Sequence, residues 1–190
     1  HDALPIFYQG ANTKYLTGFD GGTGDGVVVV GPDRARLITD ARYEEDYKDR
    51  LPEGVDFMVT RAYYEAAAQT AVEFGVKRLG FEASMPYAVY DVMDELLPAD
   101  ISFDAVPEAI EALREVKDEA ELAALRRAAD ASIKAFNDLM TFIKPGMTER
   151  QVANELDRLQ KFYGAEKASF DTIVASGYRA ARSEERRVGK

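Results

Sequence analysis

The 190-residue sequence contains no cysteine, no tryptophan and a single histidine, and the missing cysteine and histidine each remove a class of chemistry. Without cysteine there is no disulfide framework, no thiolate zinc site and no thiol nucleophile. The one histidine is His1, at the start of the chain. No Ser-His-Asp triad and no histidine-rich metal site can therefore be assembled from the interior. Long apolar runs are also missing. The longest unbroken aliphatic stretch is the four valines Val27-Val28-Val29-Val30, against the roughly 18 residues a membrane-crossing helix requires. Basic residues are scarce: 24 Lys and Arg stand against 34 Asp and Glu, a net charge of −10. That balance excludes nucleic acid as the main partner, because phosphate-backbone binding depends on a basic surface. A cytoplasmic chain with no membrane partner is the expectation, and its chemistry must rest on carboxylates, hydroxyls or lysines.

What remains is the composition of a globular chain, 46% hydrophobic and 31% charged, long enough for one domain plus part of another. Up to residue 106 short β-rich runs alternate with helical stretches, the pattern of a sheet with helices packed on it. The valine run, the turn Gly31-Pro32-Asp33 and the returning strand 35–39 predict a hairpin. A short charged helix is expected over 42–51, a strand over 55–60, and a helix over 63–74 ended by Gly75. A strand over 76–82, a helix capped by Ser84 with Pro86 near its start, and a last strand over 101–106 follow. Beyond Pro107 the strand signals give way to helix. Asp118 with Glu121 forms a capping box, and Leu122, Leu125, Ala129, Ile133, Phe136, Met140 and Ile143 recur at spacings of three or four. Lys144-Pro145-Gly146 ends that helix. Thr148 with Gln151 opens another, through Val152, Leu156, Leu159 and Phe162 to Gly164. Residues 169–175 read as β-like.

Local motifs carry little chemistry. Gly22-Thr23-Gly24 looks like a phosphate-cradling loop, but it runs into a strand, whereas a dinucleotide fingerprint follows a strand and opens a helix. Asp20 and Asp25 in that loop fall short of the ligand count of a calcium site. The carboxylate runs 44–46 and 119–121 are interleaved with Lys48, Arg50, Arg126 and Arg127, which marks solvated helix faces. Ser176 lacks a Gly-x-Ser-x-Gly elbow.

Three stretches, in order, resemble the aminopeptidase P, prolidase and creatinase family of Xaa-Pro peptidases (metallopeptidase family M24). The first is Tyr15-Leu16-Thr17-Gly18-Phe19, similar to an early loop of that family, followed by the glycine-rich turn, the valine strand and Leu37-Ile38-Thr39-Asp40. The second is the junction with Leu113-Arg114, Val116-Lys117-Asp118-Glu119 and Leu125-Arg126-Arg127-Ala128-Ala129. The third is Ile143-Lys144-Pro145-Gly146-Met147-Thr148-Glu149, continued by Gly164-Ala165-Glu166 and Ser169-Phe170-Asp171-Thr172-Ile173-Val174-Ala175-Ser176-Gly177.

The resemblance implies an α/β N-terminal creatinase-like domain over 7–112, followed over 113–181 by the incomplete start of an α+β pita-bread peptidase domain. It further implies a parent enzyme in which two divalent metal ions, manganese or cobalt, share a hydroxide that attacks the bond before proline in proline-containing peptides. The parent is expected to be a homodimer. The family's ligands, two Asp, one His and two Glu, lie downstream of residue 177. This chain is accordingly expected to hold no metal ligand, no catalytic residue and no cofactor, and to be inactive. Phe19 and Asp20 are the substrate-binding candidates, placed by the resemblance at the substrate mouth of a neighbouring subunit. The competing reading is a non-catalytic, peptidase-like binding module of the histone-chaperone kind. Residues 179–190 hold five basic and two acidic side chains, and Glu184 stands near the histidine expected after Ser-Gly. Residues 182–190 therefore read as a non-native end, and residues 1–6 as another.

Overall fold

The computed structural model describes residues 4–180, which include seven α-helices and six strands. The tail 182–190, with Glu184, and residues 1–3 lie outside the described residues. The chain divides into two compact units, 1–116 and 117–190.

The first unit is built on a six-stranded mixed sheet. Its strands are β1 (Leu4–Phe7), β2 (Gly26–Val30), β3 (Ala35–Thr39), β4 (Val55–Val59), β5 (Arg78–Glu82) and β6 (Ser102–Val106), in the order β4-β3-β2-β1-β5-β6. β2 pairs antiparallel with β1 and β3, while β3–β4, β1–β5 and β5–β6 are parallel. The helices are α1 (Gly10–Thr17), α2 (Glu44–Tyr47), α3 (Tyr63–Glu73), α4 (Tyr87–Leu96) and α5 (Ala109–Glu115).

Side-chain alternation splits the interior of this unit into two cores. Ile6, Val27, Val29, Ile38 and Leu79 pack with Ala67 and Ala71 of α3 and Met93 of α4. Phe7, Val28 and Leu37 point the other way, against Phe19, Leu16 of α1 and Ile110 of α5. A strand covered on both faces has no polar side to show, which is why β2 is an uninterrupted valine run. Burying each such side chain contributes about 1.5 to 3 kcal/mol.

The structure departs from the sequence reading at several points. The segment 1–6 is read as foreign, yet Leu4–Phe7 forms β1, inside the sheet between β2 and β5, and Ile6 is fully buried. Residues 15–17, the start of the stretch 15–19 that resembles a loop, are instead the last residues of helix α1. The charged helix expected over 42–51 is confined to Glu44–Tyr47. Ser84 does not cap α4, whose N-cap is Pro86; its hydroxyl instead accepts from the Gln9 side chain. Gly75 ends α3 as expected, with φ +69°.

One buried carboxylate explains the unexpected helix. Glu82, at the end of β5, accepts from the backbone N–H groups of Tyr8 (2.7 Å) and Gln9 (2.8 Å) and from the Asn12 side-chain amide. A carboxylate at the entry to α1 satisfies the N–H groups of Tyr8 and of the N-cap Gln9 just ahead of the helix, and it complements the helix dipole. Asn12 is itself completely buried. Its amide also donates to Glu111 (2.7 Å), and its carbonyl oxygen accepts from Arg114 (2.8 Å). The hydrogen bond from Asn12 holds the Glu111 carboxyl below its ordinary range. Burial of Asn12 therefore leaves no polar atom of its amide unmet.

The second unit pairs α6 (Glu119–Phe142) with α7 (Glu149–Phe162). Both capping boxes form: Asp118 accepts from the Glu121 N–H while Glu121 reaches back, and Thr148 and Gln151 do the same. The contact between the helices uses Ala135, Leu139, Val152 and Leu159. The larger residues that recur along α6 at spacings of three or four lie outside that contact, with Leu125, Ile133, Phe136, Met140 and Ile143 all on the surface. Residues 169–175, read as β-like, form no strand, and a short 3-10 turn follows at Gly177–Arg179.

Candidate functional site

The loop joining α1 to β2 carries both substrate-binding candidates. Gly18, in the left-handed region at φ +76°, ends α1, and its N–H donates to the Lys14 carbonyl (2.8 Å). The chain then turns inward, and the two candidates part company. Phe19 is fully buried, its ring edge-on to Tyr43 at 4.9 Å and to Tyr47 at 5.1 Å between centroids. Such T-shaped contacts suit the quadrupoles of aromatic rings. Gly21 closes over it: a Cβ there would fall 2.3 Å from the Phe19 ring. In this structure Phe19 is a packing residue with no surface to offer a substrate. Asp20 is exposed. Its backbone N–H donates to the Tyr47 hydroxyl (3.0 Å), and its carboxylate pairs with Lys14 at 2.8 Å.

Behind the loop lies a charged cluster that sequence reasoning missed. Asp40, at the end of β3, is 5% exposed. It accepts from the Arg42 backbone N–H (2.9 Å), from the Arg42 guanidinium (2.8 Å at Nη2) and from the Tyr63 hydroxyl (2.8 Å). The same guanidinium donates to Asp25 (2.9 Å), which also accepts from the Gly22 N–H (2.9 Å). The Arg42 hydrogen bonds hold both carboxyls well below the ordinary range, and Asp40 furthest. Burial and the hydrogen bond to Asp40 raise the Tyr63 phenol. The local signal was present: Thr39-Asp40-Ala41-Arg42 places an aspartate at a strand end with an arginine two residues on, the spacing of an Asx turn.

This arrangement can hold a loop but does not fit a metal. Asp25 and Asp40 converge on a guanidinium already bridging them, so a cation would have to displace Arg42. Among the described residues no three or more His, Cys, Asp or Glu side chains gather as a ligand set. No helix among them is long and apolar enough to cross a membrane. A further buried charge, Arg36, is also committed. It lies between Glu73 (2.6 Å) and Asp56 (3.3 Å), with its guanidinium over the Phe74 ring.

Comparison with known proteins places this architecture. Residues 2–116 match the Creatinase/Prolidase N-terminal domain, and residues 123–186 match Metallopeptidase family M24. An uncharacterized peptidase, YqhT, of Bacillus subtilis is 39% identical over 177 residues, which cover 93% of this chain and 49% of the relative. A Xaa-Pro dipeptidase of Pyrococcus horikoshii is 30% identical over 177 residues, 48% of its length. The solved structure of a Xaa-Pro dipeptidase from Bacillus anthracis superposes with a TM-score of 0.85 at 32% identity, over 93% of this chain and 49% of that one. The chain thus spans about half the length of the curated relatives it matches. With a mixed sheet of this order, its helices on both faces and the α6–α7 pair following in sequence, the chain belongs to the creatinase/prolidase family, its N-terminal domain leading into the first part of an M24 metallopeptidase domain.

Proposed function

We propose that these residues are the N-terminal half of a cytoplasmic, metal-dependent Xaa-Pro peptidase, and that by themselves they hydrolyse no peptide. The observation that supports the first statement is the succession of the two family matches in one chain, together with relatives named as Xaa-Pro dipeptidases. The second rests on the chemistry of the donors. The buried carboxylate behind the loop, Asp40, is ion-paired with Arg42 and accepts a hydrogen bond from Tyr63, and a carboxylate so engaged neither binds a cation nor accepts a proton at neutral pH. No cleavage step is assigned to any residue of this chain.

In the intact parent, two divalent ions, manganese or cobalt, would supply the nucleophile and stabilise the oxyanion. The part played by the present residues is structural and peripheral: they hold the N-terminal domain, and Asp20 is the candidate that its surface leaves available to a proline-containing peptide, with Phe19 anchoring the loop beneath it. In a homodimer that surface would face the partner's substrate.

The test is an assay of the 190-residue chain on Xaa-Pro dipeptides and tripeptides with added manganese. The expected result is hydrolysis no faster than in protein-free buffer, and measurable turnover refutes the inactivity. The parent's gene is expected to encode two Asp, one His and two Glu downstream at family spacing. A downstream sequence without them refutes the peptidase reading.

A further inference from the structure

Helix α4 places its charges against the field of its own backbone. It carries Asp91, Asp94 and Glu95 and no lysine or arginine. Asp94 and Glu95 stand in the last turn, where free carbonyls present partial negative charge and a cation is the stabilising neighbour. Helices α1, α5 and α7 have Lys14, Arg114 and Lys161 in that place. All three carboxylates of α4 are exposed. Among the described residues none of them pairs with a cation, as Asp20, Glu45, Asp100 and Asp104 of the same unit do. Two tyrosines share this face. At about 100° per residue, Tyr90, Asp94, Tyr87, Asp91 and Glu95 fall within one arc of about 140°, turned away from the buried Met93. The Tyr90 ring lies flat on Phe103, with 5.4 Å between centroids and 5° between planes. Tyr87 stands 6.1 Å from Tyr90 and is 75% exposed, and its hydroxyl donates to Asp91 (3.4 Å). Asp94 is close enough to Tyr90 for its charge to raise that phenol. Each tyrosine thus has a carboxylate beside it, four residues on.

We propose that this face of α4 docks a basic peptide segment of another protein, its lysine or arginine side chains lying over the tyrosine rings with their charged ends among the three carboxylates. Charge complementarity selects that occupant. The face of a tyrosine ring and a carboxylate attract the same group, a cation, so one ligand satisfies both parts of the surface. A second copy of the chain would set three carboxylates against three and is repelled. Nucleic acid and anionic lipid carry the same sign as the face and are repelled with it. A metal ion lacks its ligands, since among the described residues no three acidic groups gather as a set. Local charge placement that works against the helix carrying it is the kind of broken rule expected where a surface serves a function. The inference does not rest on the peptidase reading.

The probe is a dye-labelled peptide alternating lysine and alanine, titrated into the 190-residue chain and followed by fluorescence anisotropy. Saturable binding that weakens as salt rises is expected. Asp91→Asn combined with Asp94→Asn should weaken it about tenfold. Glu53→Gln combined with Glu65→Gln removes the same charge from exposed positions elsewhere on the first unit and should weaken it less than about twofold. Tyr87→Ala should weaken it about three- to fivefold, and Tyr87→Phe, which keeps the ring, hardly at all. Asp94→Asn should melt no lower than wild type, because the helix dipole opposes the charge it removes. The proposal is overturned if the peptide does not bind, or if the two double variants weaken binding alike, which would reduce it to net charge. It is equally overturned if Tyr87→Ala binds as tightly as Tyr87→Phe, or if a peptide with glutamate in place of lysine binds as well. A lower melting temperature for Asp94→Asn would give that carboxylate a partner in its own chain and would overturn it too. None of these readouts involves catalysis, so failure here is distinct from failure of the peptidase reading.

Discussion

Replacing Phe19 with alanine separates packing from substrate contact. The ring is fully buried against Tyr43 and Tyr47 and shares a core with Phe7, Val28 and Leu37. Truncating such a ring leaves a cavity and costs about 3 to 5 kcal/mol. A domain of this size has about 5 to 15 kcal/mol in total, so the loss is a large share of it. With a urea slope of about 1.5 to 2 kcal/mol/M, the unfolding midpoint falls by about 2 M. Tyrosine fluorescence is the convenient probe, because the sequence has ten tyrosines and no tryptophan, and two of the tyrosines touch the deleted ring. Asp20→Asn is the companion. Its ion pair with Lys14 is exposed and worth about 0.2 to 1 kcal/mol at most, so its midpoint should barely move. Gly21→Ala attacks the same packing from above and should cost about 1 to 3 kcal/mol by overpacking. A Phe19→Ala midpoint within about 0.5 M of wild type, or one shifted no more than that of Asp20→Asn, would refute the argument that Phe19 is a core residue.

Two further outcomes follow from the charges and the helix ends. Asp40 has its carboxyl lowered in the folded state by Arg42; its contribution is therefore complete above the unfolded value of about 3.9 and disappears as the pH falls through the lower folded value. The melting-temperature gap between wild type and Asp40→Asn should be constant from pH 7 down to about pH 4 and close below it, and a gap that widens in acid would contradict the assignment. Asp118→Ala and Thr148→Ala each remove the side-chain half of a capping box and should cost about 1 kcal/mol. Far-UV circular dichroism melts of the second unit would show this, and unchanged melts would mean that the boxes contribute nothing.

What could be read from the residues alone was whatever depends on near neighbours. The β2–β3 hairpin announces itself through four valines and Gly31-Pro32-Asp33, and both capping boxes through residues three apart. Elements held by distant partners were hidden. β1 is four residues with a proline, too short to alternate, and it exists because β2 and β5 flank it. α1, Gly-Ala-Asn-Thr-Lys-Tyr-Leu-Thr, is poor in strong helix formers; it is stabilised by Glu82, more than seventy positions away. The periodicity of α6 was correct, but it picked out the row of larger residues, and the contact that forms among the described residues uses Ala135 and Leu139. Residues 169–175 have strand-like composition but, among the described residues, no neighbouring strand to complete a ladder. At the candidate site, the aromatic at position 19 was visible but its direction was not, since side-chain orientation in a loop depends on what packs against it. Of the Asp25–Arg42–Asp40 cluster only the Asp40–Arg42 half had a local signal; Asp25 joins it from a separate segment, 15 positions before Asp40, which no near-neighbour pattern announces.

The Glu82 carboxylate has a further meaning for how the chain is made. It ties residues 8, 9 and 12 to β5, and Asn12 extends the tie to Glu111 and Arg114, 99 and 102 positions further on. Contacts of that separation form late and slow the search for the native state. A ribosome extruding this stretch must release residues as far as Arg114 before helix α1 finds all the groups that hold it, so α1 is expected to form only once nearly the whole of the first unit is out.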